Sequence, residues 1–165
     1  MYHRIARTSP LAHWDGSSSD RRFRHSRRRS LVNILVGIDV QAIEEVETSM
    51  RLFGDRYTRK LFTEHEVHCC GGNPLTAASG LAARFAAKEA VLKILDTREA
   101  VPSWKTIEVR RDEGGRPEIV LSGEAAELAR RQGVSAISLS LSHGGGIATA
   151  AVVAQVSPPL DEMNQ

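Results

Sequence analysis

The run Leu81-Ala82-Ala83-Arg84-Phe85-Ala86-Ala87-Lys88-Glu89-Ala90-Val91-Leu92-Lys93 decides the fold. It contains no Gly or Pro and is dominated by strong helix formers, so the spacing predicts a helix over 77–95. At about 100° per residue, Leu81, Phe85 and Leu92 form an apolar stripe, and Glu89 falls about 40° from Phe85. Lys93 lies one turn further along the same edge, and Arg84 and Lys88 flank the opposite side. A carboxylate beside a buried stripe, with three cations nearby, suits a metal and the phosphates it carries. Mg²⁺ in particular favours one or two carboxylates plus phosphate oxygens. The competing reading is an ordinary Glu89–Lys93 surface pair, worth about 0.3–0.5 kcal/mol.

Upstream, Leu31 to Asp39 is a short, nearly continuous apolar run, the pattern of a buried strand. Asp39 ends it directly after Gly37-Ile38. An ionised carboxylate there needs a partner or a cation if buried; alternatively it is the N-cap of the next helix. Val40 to Phe53 reads as that helix, with Ile43, Val46 and Met50 on one stripe and Gly54 as its stop. Helix continues over 56–62, and Thr63 is the expected cap ahead of Glu64 and Glu66. The stretch 71–74 is a loop.

Downstream, 107–110 and 118–121 read as strands joined by the turn Asp112 to Pro117, and 123–132 as a short helix. Residues 135–142 alternate, with Ile137, Leu139 and Leu141 on one face and Ser138, Ser140 and Ser142 on the other. His143 closes that strand, either as a ligand-contacting donor or as a polar terminator. Gly144 to Gly146 turn the chain into a last strand over 147–156; no Lys-Ser/Thr follows them, so they are not a phosphate loop. Helices early and antiparallel strands late give an α+β single domain, a small antiparallel sheet packed against the long helix.

Charge divides the 165 residues. Residues 1–31 carry eight Arg against Asp15 and Asp20, a net +6, while the remainder holds 14 basic and 18 acidic residues, a net −4. The arginine-dense, serine-rich leader is expected to be disordered and dispensable. Its two acids and missing apolar face speak against a transit peptide. One aromatic, Phe23, among its arginines makes a nucleic-acid arm a weak reading. Residues 32–157 form the candidate domain and 158–165 a flexible tail. No apolar run approaches the roughly 20 residues of a membrane span. Two adjacent Cys give no disulfide framework, which points to a reducing, cytoplasmic setting. His65, His68, Cys69 and Cys70 invite zinc, but lack a second ligand pair at a standard spacing.

In order along the chain, Gly37-Ile38-Asp39, then Leu61 to Glu66, then Arg84-Phe85-Ala86-Ala87-Lys88-Glu89-Ala90, then Gly114 to Pro117, then Ser140-Leu141-Ser142-His143 resemble the holo-acyl carrier protein synthases, small 4′-phosphopantetheinyl transferases. The resemblance spans 34–155, and its most specific part is 84–90. It implies transfer of 4′-phosphopantetheine from coenzyme A to a serine of an apo acyl carrier protein, releasing adenosine 3′,5′-bisphosphate, in fatty acid or polyketide biosynthesis. It further implies Asp39 and Glu89 as Mg²⁺ ligands, Lys93 on the diphosphate, and Arg84, Lys88 and His143 lining the coenzyme A site. A homotrimer with sites between subunits also follows from it. The serine proton would pass to Glu89 or to a metal-bound water.

Two positions depart from the family pattern. Glu45 stands where an Arg commonly meets the carrier, inside the run Glu44, Glu45 and Glu47, leaving Arg51, Arg56, Arg59 and Lys60 as the possible basic patch. Asp96-Thr97-Arg98 replaces a Gly-Thr-Gly turn, with Arg98 a possible compensating cation. The rival function is a non-catalytic relative that binds coenzyme A or a carrier.

Overall fold

The computed structural model describes residues 33–71, 74–98 and 100–157. The expectations for the leader 1–31 and the tail 158–165 lie outside the described residues. The elements follow in the order β1 (Asn33–Ala42), α1 (Ile43–Phe53), α2 (Asp55–Leu61), α3 (Glu64–Cys70), α4 (Pro74–Ile94), β2 (Ile107–Arg111), β3 (Pro117–Leu121), α5 (Gly123–Arg131), β4 (Val134–Gly144) and β5 (Ile147–Val156). β1, β5 and β4 form one antiparallel sheet in that spatial order, and β2 with β3 forms a second. The α+β expectation holds, with two small sheets instead of one. Among the described residues no helix is long and apolar enough to cross a membrane.

α4 is the centre of the molecule. Leu81, Ala82, Ala86, Ala87, Ala90 and Val91 are all at most 1% exposed, so the helix is covered on nearly every side and not along one stripe. Phe85 and Leu92, expected on that stripe, are only partly buried. Alanine is indifferent in a helical periodicity count, which is why the sequence pattern understates this burial. One face of the three-stranded sheet packs on α4 through Val152, Ala154, Ile137, Leu139 and Leu141. The serine alternation of β4 is as expected, with Ser138, Ser140 and Ser142 exposed.

β1 corrects the sequence reading twice. It is an edge strand covered on one face only, leaving Ile34, Val36, Ile38 and Val40 more than half exposed in a single row. It also runs on to Ala42, because Val40, Gln41 and Ala42 continue the ladder opposite Thr149, Ala148 and Ile147. α1 therefore begins at Ile43 and not at Val40, and Ala42 occupies its N-cap position. Asp39 is a strand residue, not a cap. Farther on, Thr63 does cap α3: its hydroxyl accepts from Glu66 N while Glu66 Oε2 accepts from Thr63 N.

Candidate active site

Strand alternation turns Asp39 toward α4, on the same side as Leu35 and Gly37. The two elements meet closely because position 37 has no side chain. A Cβ there would lie 2.0 Å from the carbonyl oxygen of Ala90, so glycine is the residue that lets the strand reach the helix. Two residues on, Asp39 Oδ1 accepts from Lys93 Nζ at 2.9 Å, and the same ammonium donates to Ile38 O at 2.6 Å. Lys93 thus pairs across to β1, which replaces the expected surface pair within α4. Glu89 lies one turn before Lys93 and is partly buried. Burial pushes its carboxyl above the usual range, the charge of Asp39 pushes it the same way, and Lys93 opposes both. Asp39, Glu89 and Lys93 therefore form one electrostatic centre.

Around the helix from that centre, Arg84 and His143 line a cavity of about 230 Å³ together with Arg110 and Arg111. Arg84 is 8% exposed; its Nη1 donates to Gly80 O at 3.2 Å, and its Nε is buried without a hydrogen-bond partner among the described residues. Arg110 leans on Glu108 at 2.7 Å, and Arg111 Nη1 donates to Gly115 O at 2.9 Å. Three guanidinium groups and an imidazole facing one cavity suit a phosphate-bearing ligand. Asp39, Glu89 and Lys93 are not among its lining residues. The sequence reading missed Arg110 and Arg111. Their position directly before the Asp112–Pro117 turn was the available signal, but nothing local tied that strand end to Arg84.

Lys88 stands apart from both clusters. It is fully buried, with Nζ 2.9 Å from Glu66 Oε2 and 2.9 Å from Trp104 O, and it also donates to Ile107 O. The Phe62 ring centroid lies 5.8 Å away. An ammonium has three protons, and here all three have protein acceptors. Lys88, expected to line the coenzyme A site, thus holds internal acceptors, one of them on a partner 22 residues away in sequence.

The two departures are resolved structurally. Glu45 is exposed and accepts from Gln41 Nε2 at 2.8 Å, so its charge is held at the start of α1. Arg98 folds back on Asp96, donating through Nε at 2.8 Å and again through Nη2. That hydrogen bonding holds the exposed Asp96 carboxyl at about 2. Arg98 is thus engaged with Asp96. Of the basic residues proposed farther along, Arg59 pairs with Asp55 at 3.1 Å.

Could the centre hold a divalent cation? No three His, Cys, Asp or Glu side chains gather around a common point among the described residues. Asp39 and Glu89 supply two carboxylates, and burial together with the charge of Asp39 raises Glu89. Such a pair, only partly buried and beside a lysine, fits Mg²⁺, which keeps waters and completes its shell with substrate phosphates.

Comparison with known proteins agrees with this geometry. Residues 35–152 match the family model described as the 4′-phosphopantetheinyl transferase superfamily. The chain is similar to the holo-[acyl-carrier-protein] synthase of Salinispora arenicola, with 46% identity over 125 residues, covering 74% of this chain and 98% of the relative. It is 42% identical over 121 residues to that of Moorella thermoacetica, covering 73% and 93%. Among solved structures, the Helicobacter pylori holo-[acyl-carrier-protein] synthase in complex with coenzyme A superposes with a TM-score of 0.61 at 26% identity, covering 73% of this chain and 99% of that one. The Neisseria meningitidis holo-[acyl-carrier-protein] synthase gives a TM-score of 0.61 at 30% identity, covering 72% and 95%. With the match running from the first strand to the last, the chain belongs to the holo-[acyl-carrier-protein] synthases of the 4′-phosphopantetheinyl transferase superfamily.

Proposed function

We propose that Asp39, Glu89 and Lys93 form the transfer centre of an enzyme that moves 4′-phosphopantetheine from coenzyme A to a serine of an apo acyl carrier protein. The serine oxygen, passing its proton to Glu89 or to a water, forms a bond to the phosphorus that carries pantetheine. The bond from that phosphorus to the bridging oxygen breaks, and adenosine 3′,5′-bisphosphate leaves with that oxygen. The observation that carries this reading is the convergence of two carboxylates and one ammonium where β1 meets α4.

Phosphoryl transfer is catalysed mainly by positioning and by neutralising charge as it develops. Lys93, held by Asp39 and the Ile38 carbonyl, has its charge fixed beside the diphosphate position. Asp39 and Glu89 would hold Mg²⁺, which supplies Lewis-acid polarisation of the diphosphate when bound. The cavity of Arg84, Arg110, Arg111 and His143 offers the donors for the remaining phosphate of coenzyme A. Lys88 does not belong to this set.

The exposed row on β1 supports a homotrimer. Within the row, Val36 and Ile38 continue across the sheet into Val153 and Ala151, their register partners on β5. Contiguous apolar surface of this kind marks a contact site, and further copies of the chain are its proposed occupants. The acidic centre and the cationic cavity do not share a lining within one chain, which suits a site assembled between subunits. The reaction is placed in the cytoplasm, on carriers of fatty acid or polyketide biosynthesis.

Glu44, Glu45 and Glu47 bear on which carrier is accepted. Acid on the docking side slows the encounter with a strongly acidic partner. The preferred carrier therefore has fewer acids on the helix that meets α1.

Mixing the chain with coenzyme A, Mg²⁺ and an apo carrier should yield holo carrier and an equal amount of adenosine 3′,5′-bisphosphate. Coenzyme A binding with no bisphosphate released from any carrier tried would support the non-catalytic reading instead.

A further inference from the structure

α4 poses a packing problem. Its buried residues Leu81, Ala82, Ala83, Ala86, Ala87, Ala90, Val91 and Ile94 point in nearly every direction around the axis, and five of them are alanines. Short, uniform side chains make shallow ridges, and a helix that is apolar all round carries little patterning to say which face goes where. Yet the transfer centre needs one rotation only. At about 100° per residue, a turn by one position would put Lys88 where Glu89 stands.

We propose that Lys88 is a positioning residue: its buried ion pair with Glu66 sets the rotation of α4 and thereby aims Glu89 and Lys93 at Asp39. The inference rests on the transfer-centre reading above and adds a residue that does not touch substrate. Both charges are 0% exposed, so no water can replace a lost partner. Any other rotation of α4 would strand an ammonium and a carboxylate in the core, a conditional penalty that apolar contacts do not impose.

The pin is itself anchored on several elements. Glu66 Oε1 accepts from Val109 N at 3.0 Å on β2, and Glu66 Oε2 accepts from Thr63 N at 2.9 Å at the start of α3. Thr63 Oγ1 donates to Glu108 Oε1 at 2.7 Å. Lys88 adds the carbonyls of Trp104 and Ile107, the short turn that leads into β2 and its first residue. On the opposite edge, Gly37 against Ala90 O fixes the approach of β1. The helix is thus held on one side by a polar clamp and on another by a close backbone contact, with Glu89 between them.

The test compares Lys88→Met with the wild-type enzyme in three readouts: kcat, KM for coenzyme A, and Mn²⁺ affinity of the coenzyme A complex measured by electron paramagnetic resonance. Partners that orient a metal ligand typically cost roughly 10- to 100-fold in metal affinity or activity when lost. We expect Mn²⁺ affinity and kcat each to fall by about 10-fold or more in folded Lys88→Met, with KM for coenzyme A within about twofold. A raised KM with normal kcat and normal Mn²⁺ affinity would make Lys88 a coenzyme A contact and overturn the proposal. So would three unchanged readouts in a folded variant. Should Lys88→Met not fold, the double variant Glu66→Gln/Lys88→Met removes both charges and is read in the same way. Glu89→Gln in the same assay reports on the transfer centre itself: wild-type turnover there sinks that reading whatever Lys88 does.

Discussion

At Gly37 the geometry of the site depends on the absence of a single methyl group. Because a Cβ would meet Ala90 O at 2.0 Å, and that oxygen belongs to the backbone of a buried helix, Gly37→Ala must push β1 away from α4. Overpacking of this kind costs about 1–3 kcal/mol. The displacement is carried two residues on to Asp39, and misplacing a reacting group by about 1 Å can cost about 10²-fold in rate. Urea unfolding and turnover, measured on the same preparation, should both fall, turnover by the larger factor; wild-type values for both would show that the contact is not tight. Glu108 gives a pH-dependent counterpart. Burial alone would raise its carboxyl, but hydrogen bonds from Thr63 and Arg110 outweigh that and hold it below the usual range. A carboxyl whose folded value is depressed stabilises the fold above its unfolded value, near 4.3, and loses that contribution as pH falls through the folded value. The stability advantage of the wild type over Glu108→Gln should therefore shrink as pH drops from 7 to below 4. An advantage that grows on acidification would contradict it.

At the scale of elements, α3 is a two-turn helix whose start is built from side chains. Thr63 accepts from Glu66 N, and its hydroxyl also reaches Glu108. Thr63→Ala should lower stability by about 1–2 kcal/mol, the upper range for a lost N-cap, as read from the urea midpoint; a change below about 0.3 kcal/mol would show that the cap is idle. Removing one partner of the Glu66–Lys88 pair should cost more, about 3–5 kcal/mol, because the other charge stays buried. This cap, the Gly144–Gly146 hairpin and the serine alternation of β4 were legible in the sequence because each is a local signal with its own chemistry. The centre itself was legible as residues, Asp39, Glu89 and Lys93, but not as contacts. Lys93 reaches a strand 54 residues earlier, and a helical periodicity reports only which residues share a face. The ion pair of Lys88 was not legible for the same reason, since nothing near it in sequence names Glu66 as its partner. β1 was misread because an apolar run looks alike whether one or both of its faces are covered.

Among the described residues, two surfaces bear on contacts with other chains. The first is the row Ile34, Val36, Ile38 and Val40. If it is the trimer contact, Ile38→Asp should yield a folded monomer in sedimentation, with transfer strongly reduced because a site shared between subunits would be split; an active monomer would separate assembly from catalysis. The second is the acidic opening of α1, where Gln41 keeps Glu45 in place. Neutralising acids on the docking helix of a carrier should raise its modification rate here, and a clear preference for the acidic form would remove Glu44 and Glu45 from recognition. Both expectations depend on one centre doing the chemistry. The most direct test is intact-mass measurement of an apo carrier after incubation with coenzyme A, Mg²⁺ and either the wild-type chain or folded Glu89→Gln. The account predicts one phosphopantetheine added per carrier by the wild type and none by Glu89→Gln on the same timescale. Equal modification by both would place the transfer centre somewhere other than the meeting of β1 and α4.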